Sequence, residues 1–337
     1  MIFRQSPDTF TVEEIPLYGC SGEGEHLYVT FRRKGMSTGY ILRLLQKELR
    51  LKEVETGRAG NKDRDATAVQ TISLPARVEE RVEDALIDLG AEVLTMKRHG
   101  HKLRTGKLAG NRFTVNLELE KADEKEKLQA ACNRISSQGM PNAFGPQRFG
   151  DGSVVEEGKL LFTGNRRGGS FRRSSFAVSA FQARVFNRLL EVRRERGLYP
   201  SPIPGDLMKK HSSGGQFIAE KVDDELLLRV EELEVSPTGP LPGRKVEWPD
   251  SEALALEKEV LLEFDIDRNT LTATKAPGTR RLLRVLVGEL ECALPEDEQP
   301  DQPRSALLTF SLPPGSYATV LLAELGVRLV KPERAKG

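Results

Sequence analysis

Cysteine, histidine and tryptophan are all scarce: the 337 residues include three Cys, four His and one Trp. Cys20, Cys132 and Cys292 lie far apart and form no CxxC pair, which argues against both a disulfide framework and a zinc site. A reducing, cytoplasmic setting is the expectation. No apolar run approaches the ~20 residues needed to cross a bilayer, and the opening MIFRQSPDTFTVEE lacks a basic-then-apolar export signal. Neither export nor membrane insertion is expected. An excess of charge is missing too, because 51 Lys and Arg face 50 Asp and Glu, a net +1.

That near balance hides segregation of sign. From Lys97 to Arg112 there are six Lys or Arg, two His and no acid, whereas Glu289 to Asp301 holds six acids and no base. A chain built this way can present a basic face to phosphates while staying nearly neutral.

The length suggests two domains, and a chain of this size can bury roughly three quarters of its unfolded surface without staples. Up to about residue 135, strand and helix patterns interleave. Leu27, Val29 and Phe31 alternate with Tyr28, Thr30 and Arg32, and Phe113, Val115, Leu117 and Leu119 alternate with polar partners, as half-buried strands require. Ile41, Leu45 and Leu49 recur at helical spacing behind the candidate caps Ser37 and Thr38. Leu128, Ala131, Cys132 and Ile135 mark a helix that Gly139 can end.

Residues 139–175 are rich in Gly, Arg and Ser, and a long helix follows to about Arg196, with Phe181, Val185, Phe186, Leu189 and Leu190 on one side. Beyond a Pro- and Gly-punctuated stretch, Val260, Leu262, Phe264 and Ile266 alternate again. These changes predict an inserted second domain. After the acidic, proline-bearing 295–303, the strand LLTFSL, the turn PPGS and the helix YATVLLAELG read as the return to the first domain.

Four segments carry more polar or aromatic chemistry than a connector needs. In AGNKDRDATAVQ (59–70), Asp63 lies between Lys62 and Arg64, whose approach favours the ionised carboxylate a nucleophile requires; the plainer reading is a solvated turn. KRHGHKLRTGKLAGNRF (97–113) offers cations for phosphates, the Asn111 amide for a base edge and Phe113 for stacking, or else a basic hairpin whose strand begins its core at Phe113. His99 and His101 have no third ligand nearby, so no metal site is expected. GMPNAFGPQRFG (139–150) with NRRGGSFRRSSF (165–176) combines arginine with phenylalanine, suited to nucleic acid or to a solvated connector. In FSLPPGSYATVLL (310–322), Tyr317 opens a helix, facing a pocket or simply packing.

In this order the four segments resemble the TruD family of tRNA pseudouridine synthases. SPDTFTVEEIPLY, GEGEHLYVTFRRKGMST, SAFQARVFN, PGD, TGPLPG and SLPPGSYATVLLAEL extend the likeness over nearly the whole chain. The resemblance implies an α+β fold: a pseudouridine synthase core with a mixed, mainly antiparallel sheet, in 1–138 and 301–337, and a second α+β (TRUD) domain inserted as 139–300. It places the catalytic aspartate on Asp63 and the uridine contacts on Phe10, Asn111, Phe113 and Tyr317. The family often has phenylalanine where Tyr317 stands, and stacking survives that change. Arg4 stands where relatives can carry a lysine near the aspartate.

The implied activity is isomerisation of uridine 13 in the D-arm of tRNA, without metal or organic cofactor. The expected partner is tRNA, with no protein partner and a monomeric chain. Two rivals remain from the residues themselves. One is a non-catalytic RNA-binding module; the other is a hydrolase using Asp63 and Asp65.

Overall fold

The computed structural model describes residues 1–62, 64–121, 123–164, 170–294 and 304–330. Along the chain run β1 (Ile2–Arg4), β2 (Phe10–Pro16), β3 (His26–Lys34), α1 (Thr38–Glu48), β4 (Gly57–Arg58), β5 (Thr67–Pro75), α2 (Glu79–Asp88), β6 (Glu92–His99), β7 (Leu108–Leu119) and α3 (Glu124–Gln138). Then come β8 (Met140–Pro141), α4 (Ser153–Phe162), α5 (Phe171–Glu195), β9 (Leu207–Lys210), β10 (Gln216–Ile218), α6 (Asp224–Glu231), β11 (Val235–Leu241), α7 (Ser251–Glu263), α8 (Arg268–Ala273), β12 (Thr279–Leu282) and β13 (Arg284–Val285). The chain finishes with β14 (Gly288–Ala293), β15 (Arg304–Leu312), α9 (Ala318–Glu324) and β16 (Arg328–Val330).

Two compact units result. The first comprises Met1–Asn133, Val287–Ala318 and Leu322–Gly337, and the second Arg134–Leu286 with Thr319–Leu321. In the first, one sheet runs β14-β15-β7-β2-β5-β3-β6, with β1 added beside β7, β16 beside β1 and β4 beside β5. Its pairings are antiparallel except β2 with β5 and β1 with β16. This is the mixed, mainly antiparallel sheet of an α+β protein.

Local sequence explains the elements around it. Ser37 caps α1 by accepting from the Tyr40 N–H, and the stripe Ile41, Leu42, Leu45 packs on Leu27, Val29 and Phe31 of β3, all buried. Val82 and Leu86 of α2 complete that core. Gly139, at φ +70°, takes the left-handed position that stops α3.

The second unit builds a four-stranded antiparallel sheet, β10-β9-β11-β12, and a separate β13-β8 pair. Helix α5 buries Phe181, Val185, Phe186, Leu189 and Leu190, as its periodicity predicts, and Gly197 follows its end at φ +69°. Two ion pairs sit inside the unit, Arg193 with Asp206 at 2.8 Å and Arg280 with Glu257. The alternation at Val260–Ile266 belongs largely to a helix, not a strand. Asp250 caps α7, and Ala253, Leu256, Val260 and Leu261 are buried at helical spacing while Leu262 is exposed. A short apolar run fits both periods, and the cap decides it.

Among the described residues no helix is long and apolar enough to cross a membrane.

Candidate active site

The sheet of the first unit is split at one place. On one edge of β5, Thr67–Val69 pair with β2, whereas Ile72 and Ser73 pair with β4. Between them the Thr71 N–H meets neither strand and donates to the Glu14 carboxylate at 3.0 Å. The other oxygen of Glu14 accepts from Lys62 Nζ at 2.6 Å. Both side chains are almost fully buried, so this charge-assisted pair closes the gap with its lone pairs used.

Lys62 belongs to the loop that returns from β4 to β5, and its backbone is fixed as firmly as its side chain. Its N–H donates to Thr38 Oγ1 at 2.8 Å, and its carbonyl accepts from Arg33 Nη2 at 3.3 Å. Arg33 also donates to Gln70 Oε1 at 3.0 Å, and the Thr38 hydroxyl donates to that same oxygen at 2.8 Å. Arg33, Thr38 and Gln70 are all buried, which makes this a rigid polar knot. On the far side of the loop, Gln5 Nε2 donates to the Asp65 carbonyl at 3.3 Å and the Thr67 hydroxyl to the Pro7 carbonyl at 2.6 Å. The loop is therefore held on both sides of Asp63. Asp63 itself lies outside the described residues.

Strand register brings Asn111 to the same place. Glu14 of β2 faces Asn111 of β7, which in turn faces Leu312 of β15. Gly110 makes this approach possible, because a Cβ there would stand 2.6 Å from the Leu312 carbonyl oxygen. Asn111 Oδ1 is buried and has no hydrogen-bond partner among the described residues. An amide oxygen left this way is costly unless something supplies a donor. Five residues beyond Leu312, the half-buried Tyr317 directly precedes α9.

Phe10 and Phe113 occupy the same strands but are packed inward. Their rings stack at 6.1 Å, Phe113 stacks on Phe310 at 5.1 Å, and Phe3 meets Phe10 edge-on at 5.5 Å. Each of the two is only 8% exposed. They form a phenylalanine row beside Asn111. Arg4 donates through Nε to Glu118 at 2.9 Å, both side chains being exposed.

The basic segment 97–112 divides. Arg98 pairs with Glu79, and Arg112 with Glu289 of the acidic stretch. Lys97, Arg104 and Lys107 form no ion pair with any described residue.

Three residues of this arrangement escaped the sequence reading: Glu14, Arg33 and Lys62 as the partner of Glu14. Arg33 had a signal. The alternation Leu27, Val29, Phe31 continues to position 33, and an arginine on the apolar face of a strand points to a buried polar task.

This is a split-sheet α+β core that holds a polar loop beside an unsatisfied amide. A solved structure from Methanosarcina mazei described as tRNA pseudouridine synthase D (TruD) shares the fold, with a TM-score of 0.70 over 97% of this chain and 94% of that one at 23% identity. The TruD family, tRNA pseudouridine synthase D, matches residues 1–168 and 173–325. A tRNA pseudouridine synthase D from Thermus thermophilus is 39% identical over 329 residues, 96% of this chain and 87% of the relative. One from an Anaeromyxobacter species is 38% identical over 333 residues, 96% and 91% respectively. The chain belongs to the tRNA pseudouridine synthase D family.

Proposed function

We propose that this chain converts uridine 13 in the D-arm of tRNA to pseudouridine, with Asp63 as the nucleophile. The observation that carries the reading is the segment AGNKDRDATAVQ, matched within the family and pinned at the split of the sheet on either side of Asp63. A loop fixed to within a hydrogen bond at both flanks is pre-organised, which is what a nucleophile needs. In domain terms, the first unit is the catalytic core and the second the inserted domain; β14 lies in the core sheet, so the return to the core begins at about 287, ahead of the 301 expected from sequence.

The target base is extruded from its stack at a cost of a few kcal/mol. Tyr317 stacks on it, an interaction worth roughly 1–3 kcal/mol per base. Asn111 Oδ1 accepts the uracil N3–H, which ends its unsatisfied state. Phe10 and Phe113 act from behind, as the rigid row that fixes Asn111 and lends an apolar edge to the base.

Asp63 either attacks C1′ or promotes departure of the base, and the bond from C1′ to N1 breaks with its electron pair leaving on the uracil. The ring turns and its C5 bonds to C1′, and where Asp63 had bonded to C1′ its carboxylate leaves with the electron pair of that bond. The proton on C5 is then lost, and N1 takes one up. Atoms and electrons balance within the substrate, so the reaction requires no oxidant or reductant. The chain acts as a cytoplasmic monomer on tRNA.

The test is incubation of the purified protein with unmodified tRNA, without added cofactor, followed by chemical mapping of pseudouridine. Pseudouridine at position 13 is expected with the wild type and none with Asp63→Asn, while both bind tRNA. Binding without product from the wild type would reduce the protein to an RNA-binding module, and release of free base or a cut strand would make it a hydrolase.

A further inference from the structure

A concavity lies in the first unit, lined on one side by Glu14. It encloses about 210 Å³. That is too small for a drug-sized ligand, whose pockets span roughly 300–1,000 Å³, and suits one planar ring. Tyr18 and Tyr28 form aromatic walls, Thr95 supplies a hydroxyl beside the mutually bonded hydroxyls of Thr30 and Thr71 (2.8 Å), and Lys97 and Lys107 also line it.

Three features mark it as a receptor. The Tyr18 ring is backed by His99, stacked at 5.4 Å, yet remains 40% exposed. Tyr28 is held edge-on against His99 at 4.9 Å and is more than nine-tenths buried, but its hydroxyl has no hydrogen-bond partner of good geometry. Lys97 and Lys107 are exposed and unpaired with any described acid. The one carboxylate in the lining, Glu14, is already neutralised by Lys62.

We propose that this pocket receives a second nucleotide of the RNA substrate, apart from the target uridine. Its base stacks on Tyr18, the Tyr28 hydroxyl bonds a base edge, and Lys97 and Lys107 share its phosphate. Aromatic walls, hydroxyl donors and rim cations together match a nucleotide; an apolar ligand would waste the lysines, and a bare anion the rings. Because Glu14 lines this pocket and also holds Lys62, occupation here bears on the loop that carries Asp63.

The inference rests on tRNA being the substrate, and the experiment separates the two. The full-length protein is tested with unmodified tRNA for binding across a range of salt and for steady-state modification. Tyr18→Ala should raise KM about tenfold with kcat within twofold. Tyr28→Phe should weaken binding severalfold with little change in melting temperature, since its hydroxyl has no partner of good geometry among the described residues to lose. Lys97→Gln with Lys107→Gln should flatten the slope of log K against log salt by about 1. Wild-type KM, affinity and salt slope in all three would overturn the pocket while leaving the proposed function intact. A wild type that neither binds nor modifies tRNA would overturn both. Uridine 5′-monophosphate displacing tRNA at micromolar concentration would overturn the assignment to RNA in favour of a free mononucleotide.

Discussion

Replacing Glu14 by glutamine tests the account of the split most directly. The amide oxygen can still accept from the Thr71 N–H, so the edge of β5 stays capped. What changes is Lys62, whose ammonium, only 6% exposed, would lose the Glu14 carboxylate. Removing one partner of such a pair costs about 3–5 kcal/mol, a large share of the roughly 5–15 kcal/mol that holds a domain. With a urea slope near the top of the usual ~1–3 kcal/mol/M range, the midpoint falls by at least about 1 M.

The deficit also depends on pH. In Glu14→Gln, burial lowers the Lys62 pKa in the folded protein, while the unfolded chain keeps a value near ~10.4. Between the two the unfolded state holds the extra proton, so stability rises with pH across that window. The loss is therefore full at lower pH and shrinks towards pH 10. Adding Lys62→Met removes the charge that Glu14 balanced and should recover stability to within about 1 kcal/mol of wild type. Urea titrations by circular dichroism at several pH values measure all three variants. A Glu14→Gln protein within about 0.5 kcal/mol of wild type, with no pH dependence, would refute the buried pair.

Arg33→Met should remove one donor each from the Lys62 carbonyl and Gln70 Oε1, leaving both to Thr38 alone, at about 1.5–3 kcal/mol for each charge-assisted bond lost, and hydrogen exchange at the Lys62 amide should quicken. His211, whose pKa burial and the nearby Arg284 hold below the usual ~6.5, binds its proton more readily once unfolded. Its neutral form should support the second unit above about pH 6.5 and lose that support as pH falls, and His211→Asn should flatten the fall in melting temperature read from Trp248 fluorescence. Burial pushes the Cys132 thiol up to about 11. A disulfide reagent at pH 8 should label exposed Cys20 in the native protein and reach Cys132 only after denaturation.

Local chemistry made some elements readable from sequence and hid others. Ser37 before a helical stripe fixes α1, and Gly139 stops α3, because caps act within a few residues. At Val260–Ile266 the visible alternation misleads, since the helix is set by Asp250 ten residues earlier. The site shows the same limit on a larger scale. Motif resemblance could mark Asn111 and Tyr317, but the Glu14–Lys62 pair spans 48 residues and depends on where a parallel pairing stops. Phe113 reads from sequence either as a stacking ring or as the first core residue of its strand, and register shows it packed in the core against Phe10 and Phe310. Basic charge was legible as a block, whereas the neutralisation of Arg112 by Glu289 required a contact 177 residues away.

The placement of β7 between β2 and β15 sets a timetable for the ribosome. β2 leaves the exit tunnel before β7, but β15 follows about 185 residues later, roughly 10–40 s at 5–20 residues per second. Throughout that interval the nascent sheet carries an unpaired edge along Asn111, Phe113 and Val115, an invitation to wrong partners that a holdase could mask. Any stop codon or stall before residue 304 would strand the chain there, with its first strands laid down and its Asn111 neighbour Leu312 never made.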